Sequence, residues 1–142
     1  MAELHFTFSG SEDNQRFLER LRTFAGENSW SPAITNEVEL IFEEWLTNVR
    51  DYGLTLQPHP EIRVTVRSRG DLAEIEVMDN GIAFDPTRQK DPDVTLPVEE
   101  RAIGGLGIFM MKKLSRSMQY ERIDDWNRLL IEKDLTKSVL NP

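Results

Sequence analysis

The sequence contains no cysteine, and this absence excludes disulfide scaffolds, zinc–thiolate sites and cysteine nucleophiles. Histidine is scarce too, since only His5 and His59 occur and they lie far apart along the chain. His59 lies between two prolines and His5 opens a predicted edge strand. Structural or solvated histidines are therefore favoured over a histidine-based metal or acid–base site.

The chain also lacks an excess of positive charge and any long apolar run. Its formal net charge of −8 repels a phosphate backbone, which disfavours generic nucleic-acid binding but is compatible with a basic protein partner. No apolar run approaches the roughly 18 residues that a membrane helix needs, and the N-terminus MAELHFTFSG lacks the basic and apolar regions of a signal peptide. We therefore expect no membrane contact and a cytoplasmic location.

The length of 142 residues suits one domain with a single core, and we predict one domain over 1–142. Alternating apolar and polar residues predict five short strands, at 4–8, 62–67, 73–77, 118–123 and 128–134. Apolar residues at helical spacing predict three helices, at about 12–25, 32–53 and 104–117. Residues 82–103 have little periodicity and three prolines, which indicates a lid-like connection. This order predicts an α+β fold, a two-layer α/β sandwich with a mixed, mostly antiparallel sheet and the helices on one face.

The second predicted helix carries two polar residues at a functional spacing. Glu44 and Asn48 lie four apart beside the apolar stripe that includes Ile41 and Trp45, so both side chains lie on one side of the helix. A carboxylate there can accept a proton from a hydroxyl or water, and an amide oxygen can help to hold a hard cation such as Mg²⁺. The same spacing is also typical of a solvated helix edge.

The motif Asp79-Asn80-Gly81 directly follows a predicted strand. A carboxylate at the end of a strand can accept a hydrogen bond from an exocyclic amine such as that of adenine, and a glycine lets a ligand approach the backbone. A plain Asn-Gly turn is the alternative interpretation.

Glycines open the third predicted helix, as Gly104-Gly105-Leu106-Gly107. Free amides and the helix dipole at such a position attract phosphate. The run has neither the lysine and Ser/Thr of a Walker loop nor the Rossmann glycine spacing, so both of those nucleotide-binding folds are disfavoured. A tight loop-to-helix turn explains the glycines equally well.

Taken in order, these three motifs resemble the nucleotide-binding boxes of the GHKL (Bergerat-fold) ATPases. Residues 44–48 (EWLTN) resemble the N box, residues 79–86 (DNGIAFDP) the first glycine box, and residues 104–108 (GGLGI) the second. Tyr52-Gly53 lies where that family often has His or Tyr followed by a small residue. The stretch 105–122 is similar to the stand-alone serine/threonine kinases that act as anti-sigma factors, and the resemblance covers nearly the whole chain.

The resemblance implies a role for each matching residue. Glu44 would be the general base, Asn48 would bind the nucleotide and its Mg²⁺, and Asp79 would read the adenine of ATP. Gly81 and Ala83 would lie beside the base. The phosphates would be held under the lid by the remaining residues of the set, which are Arg101, Gly104, Gly105, Leu106 and Gly107.

Two positions depart from the pattern of the family. Ala83 stands where the fuller glycine box has a glycine. Leu130 stands where a threonine often supports the adenine-binding aspartate through its hydroxyl, and its loss would weaken or reshape nucleotide affinity.

The activity implied is transfer of the γ-phosphate of ATP to a serine or threonine of a small antagonist protein of the STAS type, together with control of a partner such as a sigma factor. Two alternatives stay open: a nucleotide-binding switch that changes partners without turnover, and an interaction domain that has lost nucleotide binding. The resemblance also implies a homodimer, for which Phe6 and Phe8 are candidate surface residues.

Overall fold

The structure, a computed structural model, describes residues 2–91, 95 and 105–142. This part of the chain forms one sheet and three α-helices, and none of these helices is long and apolar enough to cross a membrane. The strands are β1 (Ala2–Phe8), β2 (Ile62–Arg69), β3 (Leu72–Asp79), β4 (Ser117–Ile123) and β5 (Trp126–Asp134). The helices are α1 (Asp13–Glu27), α2 (Pro32–Asn48) and α3 (Gly105–Leu114).

The strands lie in the order β1-β2-β3-β5-β4. The predicted α+β sandwich is confirmed, but its sheet is not mixed: every pair of neighbouring strands in the described residues is antiparallel. Placing β5 next to β3 brings the end of β3 opposite the start of β5, with Asp79 paired to Asn127. Two residues that are far apart in sequence therefore lie side by side at one end of the sheet.

One face of the sheet is buried against the helices and the other is exposed to solvent, because successive side chains of each strand point to opposite faces. Val64, Ile75 and Ile131 point into the core, where they meet buried residues of α2 such as Phe42. The opposite face carries ion pairs, for example Arg128 with Glu76. All three helices therefore cover the same side of the sheet, as expected for a two-layer sandwich.

Phe6 and Phe8 belong to the core, so their suggested role in a dimer surface is wrong. They are only 6% and 3% exposed, and both rings contact Phe17 of α1 at centroid distances of 5.4 and 5.2 Å. Alternation along β1 explains this, because the residues that face solvent on this strand are Glu3, His5 and Thr7.

The start of α2 follows the sequence signal closely. The hydroxyl of Ser31 accepts a hydrogen bond from the backbone N–H of Ile34 at 3.1 Å, and Pro32 occupies the first turn, where its missing N–H costs nothing. The predicted helical segment does extend to Gly53, but its last five residues, Val49–Gly53, form a π-helical turn. Such turns are frequent at functional sites.

The end of α3 comes earlier than the predicted residue 117. The helix stops at Leu114 because the Ser115 hydroxyl bonds the carbonyl of Met111 and the N–H of Arg116 bonds the carbonyl of Glu132 in β5. Pairing with the sheet begins there, and β4 follows at once.

A buried ion pair joins the two layers. Lys133 on β5 and Glu37 on α2 are each 1% exposed, and the lysine Nζ lies 2.7 Å from the Glu37 Oε1. The same Nζ donates to the carbonyl of Leu114 at the end of α3. One side chain therefore connects β5 to two helices.

Candidate functional site

A cavity of about 270 Å³ lies between the helices and the ends of β3 and β5. Its walls come from α2 and its π-helical end, from the segment after β3, from α3 and from the last two strands. The lining residues are Trp45, Asn48, Val49, Tyr52, Gly53, Asp79, Ile82, Phe84, Pro86, Gln89, Ile108, Met111, Tyr120, Asn127 and Leu129. Most are apolar, with a few polar groups at fixed positions, as is usual for a small-molecule site.

Asp79 provides the buried carboxylate of this cavity. It is 4% exposed, and its Oδ1 accepts hydrogen bonds from the Gly81 N–H at 2.9 Å and from the Asn127 amide at 3.0 Å. Burial raises the pKa of Asp79 above its ordinary value, while these two hydrogen bonds and the charge of Arg122 oppose that rise. In the described part of the chain Oδ2 accepts no such bond, so it is available to a donor in the cavity.

Gly81 allows the segment after β3 to lie directly on the π-helical end of α2. A Cβ at this position would be 2.4 Å from the carbonyl oxygen of Gly53, a distance that no side chain tolerates. The same carbonyl accepts a hydrogen bond from the N–H of Ile82 at 3.0 Å. Gly53 and Gly81 are therefore packed backbone to backbone at the edge of the cavity.

Asn127 is a site residue that the sequence motifs did not reveal. Its amide bonds the Asp79 carboxylate, the carbonyl of Ile82, the N–H of Phe84 and the hydroxyl of Tyr120. The register of β3 and β5 puts it opposite Asp79. No local sequence pattern marks it, because the pairing of β3 with β5 joins segments that are far apart in the chain.

The predicted place of Leu130, next to the adenine-binding aspartate, is wrong. Leu130 pairs with Glu76, three residues before Asp79 on β3, and does not face the carboxylate. The support expected from a threonine hydroxyl comes instead from the Asn127 amide. Leu130 is therefore no sign of a lost nucleotide site.

Glu44 lies against the first turn of α3. A Cβ at Gly107 would be 2.6 Å from the Glu44 Oε2, so the absence of a side chain there is what lets the carboxylate approach the helix. The first amides of a helix have no partner within it and attract negative charge. The structure thus brings Glu44 close to Gly107 in the first turn of α3.

Asn48 lines the cavity one helical turn after Glu44. Its amide oxygen suits a hard cation, but no cluster of three or more His, Cys, Asp or Glu side chains fit for a metal occurs in the described residues. Mg²⁺ prefers octahedral oxygen ligands and usually keeps several waters. The site therefore fits a cation that brings phosphate and water ligands with it.

Other predicted site residues lie less centrally. Ala83 and Leu106 are exposed and do not line the cavity. Arg101 and Gly104 lie outside the described residues, as does half of the predicted lid, residues 92–94 and 96–103. The described start of that segment passes the cavity at Ile82, Phe84 and Pro86.

Comparison with known families identifies the fold around this cavity. A family model described as the histidine kinase-like ATPase domain matches residues 11–133. The chain belongs to this family. Membership in an ATPase family implies ATP binding, and it confirms the GHKL resemblance found in the motifs.

Among similar proteins, the serine/threonine-protein kinase BtrW of Bordetella bronchiseptica is 27% identical over 129 residues, which cover 91% of this chain and 89% of that protein. Two solved structures share the histidine kinase-like ATPase fold. The RsbU and RsbW domains of Rv1364c from Mycobacterium tuberculosis match with a TM-score of 0.65 at 14% identity, over 95% of this chain and 33% of theirs. The histidine kinase domain of the Erythrobacter litoralis blue-light activated kinase EL346 matches with a TM-score of 0.52 at 11% identity, over 89% of this chain and 63% of its own.

Proposed function

We propose that this chain is an ATP-dependent serine/threonine protein kinase that phosphorylates a small antagonist protein of the STAS type and regulates a partner such as a sigma factor. The observation that supports this most is the Glu44 carboxylate lying against the first turn of α3. The serine/threonine kinase named above, which matches almost the whole chain, supports the same activity. We expect the protein to act in the cytoplasm, where ATP is available.

ATP would bind with its base in the cavity and its phosphates at the start of α3. The Asp79 Oδ2 would accept a hydrogen bond from the adenine amine, and apolar residues such as Ile108 and Leu129 would cover the ring. The free amides of Gly105, Leu106 and Gly107 would hold the phosphates. Arg101 and Gly104 are proposed contacts of the same phosphates, and residues 82–103 are proposed to form the lid over them.

Phosphoryl transfer needs a base that accepts the proton of the substrate hydroxyl, and a substrate oxygen that lies in line with the bond that breaks. The serine or threonine oxygen of the substrate would form a bond to the γ-phosphorus as the bond from that phosphorus to the β–γ bridging oxygen breaks, so that ADP leaves. Glu44 would take the hydroxyl proton. Asn48 would hold Mg²⁺, which neutralises charge on the phosphates when it is bound. The protein itself contributes mainly position and electrostatics.

Calorimetric titration with ATP and ADP in the presence of Mg²⁺ tests the nucleotide site. The wild type should bind both, and Asp79→Asn should lose most of this affinity. The single amide oxygen would take the place of Oδ1, which accepts from Gly81 and Asn127, and the amide nitrogen would then set a donor against the adenine amine. Absence of binding by the folded wild type would refute the proposed function at its first step.

A second measurement tests the transfer. Purified antagonist candidates of the STAS type that carry a serine or threonine are incubated with labelled ATP and wild type, Glu44→Gln or Glu43→Gln. Glu43 is the matched control, since it is the exposed neighbour on the same helix. Loss of transfer in Glu44→Gln alone, with ATP binding retained, is the expected result. Tight ATP binding without transfer to any candidate would favour the non-catalytic switch instead.

A further inference from the structure

We infer that Asn127 is the positioning residue for base recognition: it orients Asp79 so that one carboxylate oxygen faces the ligand, and it fixes the start of the lid segment at the same time. This inference rests on the proposed function, because it concerns how the proposed nucleotide is read. Asn127 acts through Asp79 and through the backbone beyond it.

The first support is that every hydrogen-bonding group of the Asn127 amide is used. Its nitrogen donates to the Asp79 Oδ1 at 3.0 Å and to the Ile82 carbonyl at 2.7 Å. Its oxygen accepts from the Phe84 N–H at 3.3 Å and from the Tyr120 hydroxyl. An asparagine amide has two donor hydrogens and two acceptor lone pairs, so these four partners satisfy it completely.

The second support is that the partners leave only one orientation of the amide. An ionised carboxylate and the Ile82 carbonyl can only accept, and the backbone N–H of Phe84 can only donate. If the amide were rotated by 180°, its oxygen would face two acceptors, Asp79 and the Ile82 carbonyl, and its nitrogen would face a donor, the Phe84 N–H. Asn127 is 7% exposed, so water cannot easily replace these partners, and an unpaired buried group is costly.

The third support is what this arrangement does to Asp79. Within the described ranges of the chain, two hydrogen bonds reach the carboxylate, from Gly81 and from Asn127, and both go to Oδ1. The carboxylate is thereby held in one rotamer, with Oδ2 left for the cavity. An acceptor at that point favours a base edge that presents an amine over one that presents a carbonyl oxygen, so Asn127 would set the preference for adenine over hypoxanthine.

Neither threonine nor leucine at this position could make the same set of hydrogen bonds. A threonine hydroxyl has a single donor hydrogen, which would serve either Asp79 or Ile82 but not both. A leucine, which matches asparagine in size, has no polar atom. The asparagine therefore joins base recognition to the start of the lid segment, through Ile82 and Phe84.

The test compares ATP with ITP, which carries a carbonyl oxygen in place of the adenine amine. Binding of each is measured calorimetrically for wild type, Asn127→Leu, Asn127→Thr and Tyr120→Phe. Leu130→Thr is the matched control on the same strand. Thermal melting checks that each variant folds.

The wild type should prefer ATP to ITP by roughly 10- to 100-fold, the size expected for a hydrogen bond to a charged group. In Asn127→Leu this preference should fall to about 3-fold or less, with ITP affinity nearly unchanged, and Asn127→Thr should restore part of it. Tyr120→Phe should lower it by a smaller factor, and Leu130→Thr should leave it as in the wild type.

Each contrary outcome points to a different failure. If Asn127→Leu keeps the full preference for ATP, or weakens ATP and ITP equally, the inference is overturned while the proposed function stands. If the folded wild type binds neither nucleotide, the proposed function fails and this inference fails with it. If Asn127→Leu does not fold, the ratio of ATP affinity to ITP affinity is compared between the wild type and the variants Asn127→Thr and Tyr120→Phe, and an unchanged ratio in both overturns the inference.

Discussion

Replacing Lys133 with methionine should destabilise the protein severely. The change removes the Nζ that lies 2.7 Å from the Glu37 Oε1 and 2.7 Å from the Leu114 carbonyl. Glu37 would remain buried with its charge partly unpaired. Breaking a buried ion pair by deleting one partner costs about 3–5 kcal/mol, and for a domain of this size that corresponds to a fall in melting temperature of roughly 10–15 °C.

The pH dependence of stability gives an independent measure of the same interaction. Burial by itself raises the pKa of Glu37, but hydrogen bonds from Lys133, Ser138 and the N–H groups of Val139 and Leu140 outweigh it and lower the pKa from 4.5 to about 2. Because the folded value is lowered, the ionised carboxylate stabilises the protein above pH 4.5, and this stabilisation is lost as the pH falls from 4.5 toward 2. The lowering corresponds to about 3 kcal/mol.

Urea unfolding followed by tryptophan fluorescence measures both effects, since Trp30 and Trp45 are buried in the core. Lys137→Met is the matched control, because Lys137 is exposed. Glu37→Gln should flatten the stability curve between pH 4.5 and 2. A loss below about 1 kcal/mol in Lys133→Met, or an unchanged acid slope in Glu37→Gln, would refute the reasoning.

Two glycine substitutions should separate stability from activity. Gly81→Ala places a methyl group 2.4 Å from the Gly53 carbonyl, and since backbone must move, we expect a loss of about 1–3 kcal/mol in urea unfolding together with weaker ATP binding. Gly107→Ala meets only the end of the Glu44 side chain, at 2.6 Å, so the fold should be nearly unaffected while phosphotransfer falls roughly 10- to 100-fold as the base is displaced.

Gly26→Ala provides the control for both substitutions. A Cβ at Gly26 has nothing within 4 Å, and the residue lies in α1 away from the cavity. Alanine there should raise stability by up to about 1 kcal/mol through helix propensity and leave ATP binding unchanged. If Gly81→Ala behaved like Gly26→Ala, the close approach of Gly53 and Gly81 would have no energetic consequence.

Much of the fold follows from patterns that are local in the sequence. Period-two alternation in β2 and β3 identified the hairpin, and the Ser31-Pro32 cap identified the start of α2. The end of α3 was missed because it depends on Arg116 pairing with β5, which is a contact between distant segments. The fully antiparallel sheet likewise depends on where β5 inserts, and no local pattern carries that information.

The site residues also fall into two groups, those that a local motif predicts and those that only the pairing of distant strands places. Asp79, Gly81 and Gly107 belong to motifs whose chemistry can be read from a few consecutive residues. Asn127 has no motif around it, and its importance comes from the register between β3 and β5. An error in that register assigned its position to Leu130, three residues further along, which on a strand also changes the face of the sheet.

Strands β3 and β5 are interior strands, each hydrogen-bonded to a neighbour on both sides. Backbone amides in such strands exchange with solvent mostly through opening of the whole domain, whereas ends and edges open locally at much lower cost. Asp79 is the last residue of β3 and Asn127 is the second residue of β5, so both lie at strand ends, where local opening costs less than in the middle of the same strands. The arrangement proposed to read the base should therefore loosen on heating before the interior of the sheet unfolds.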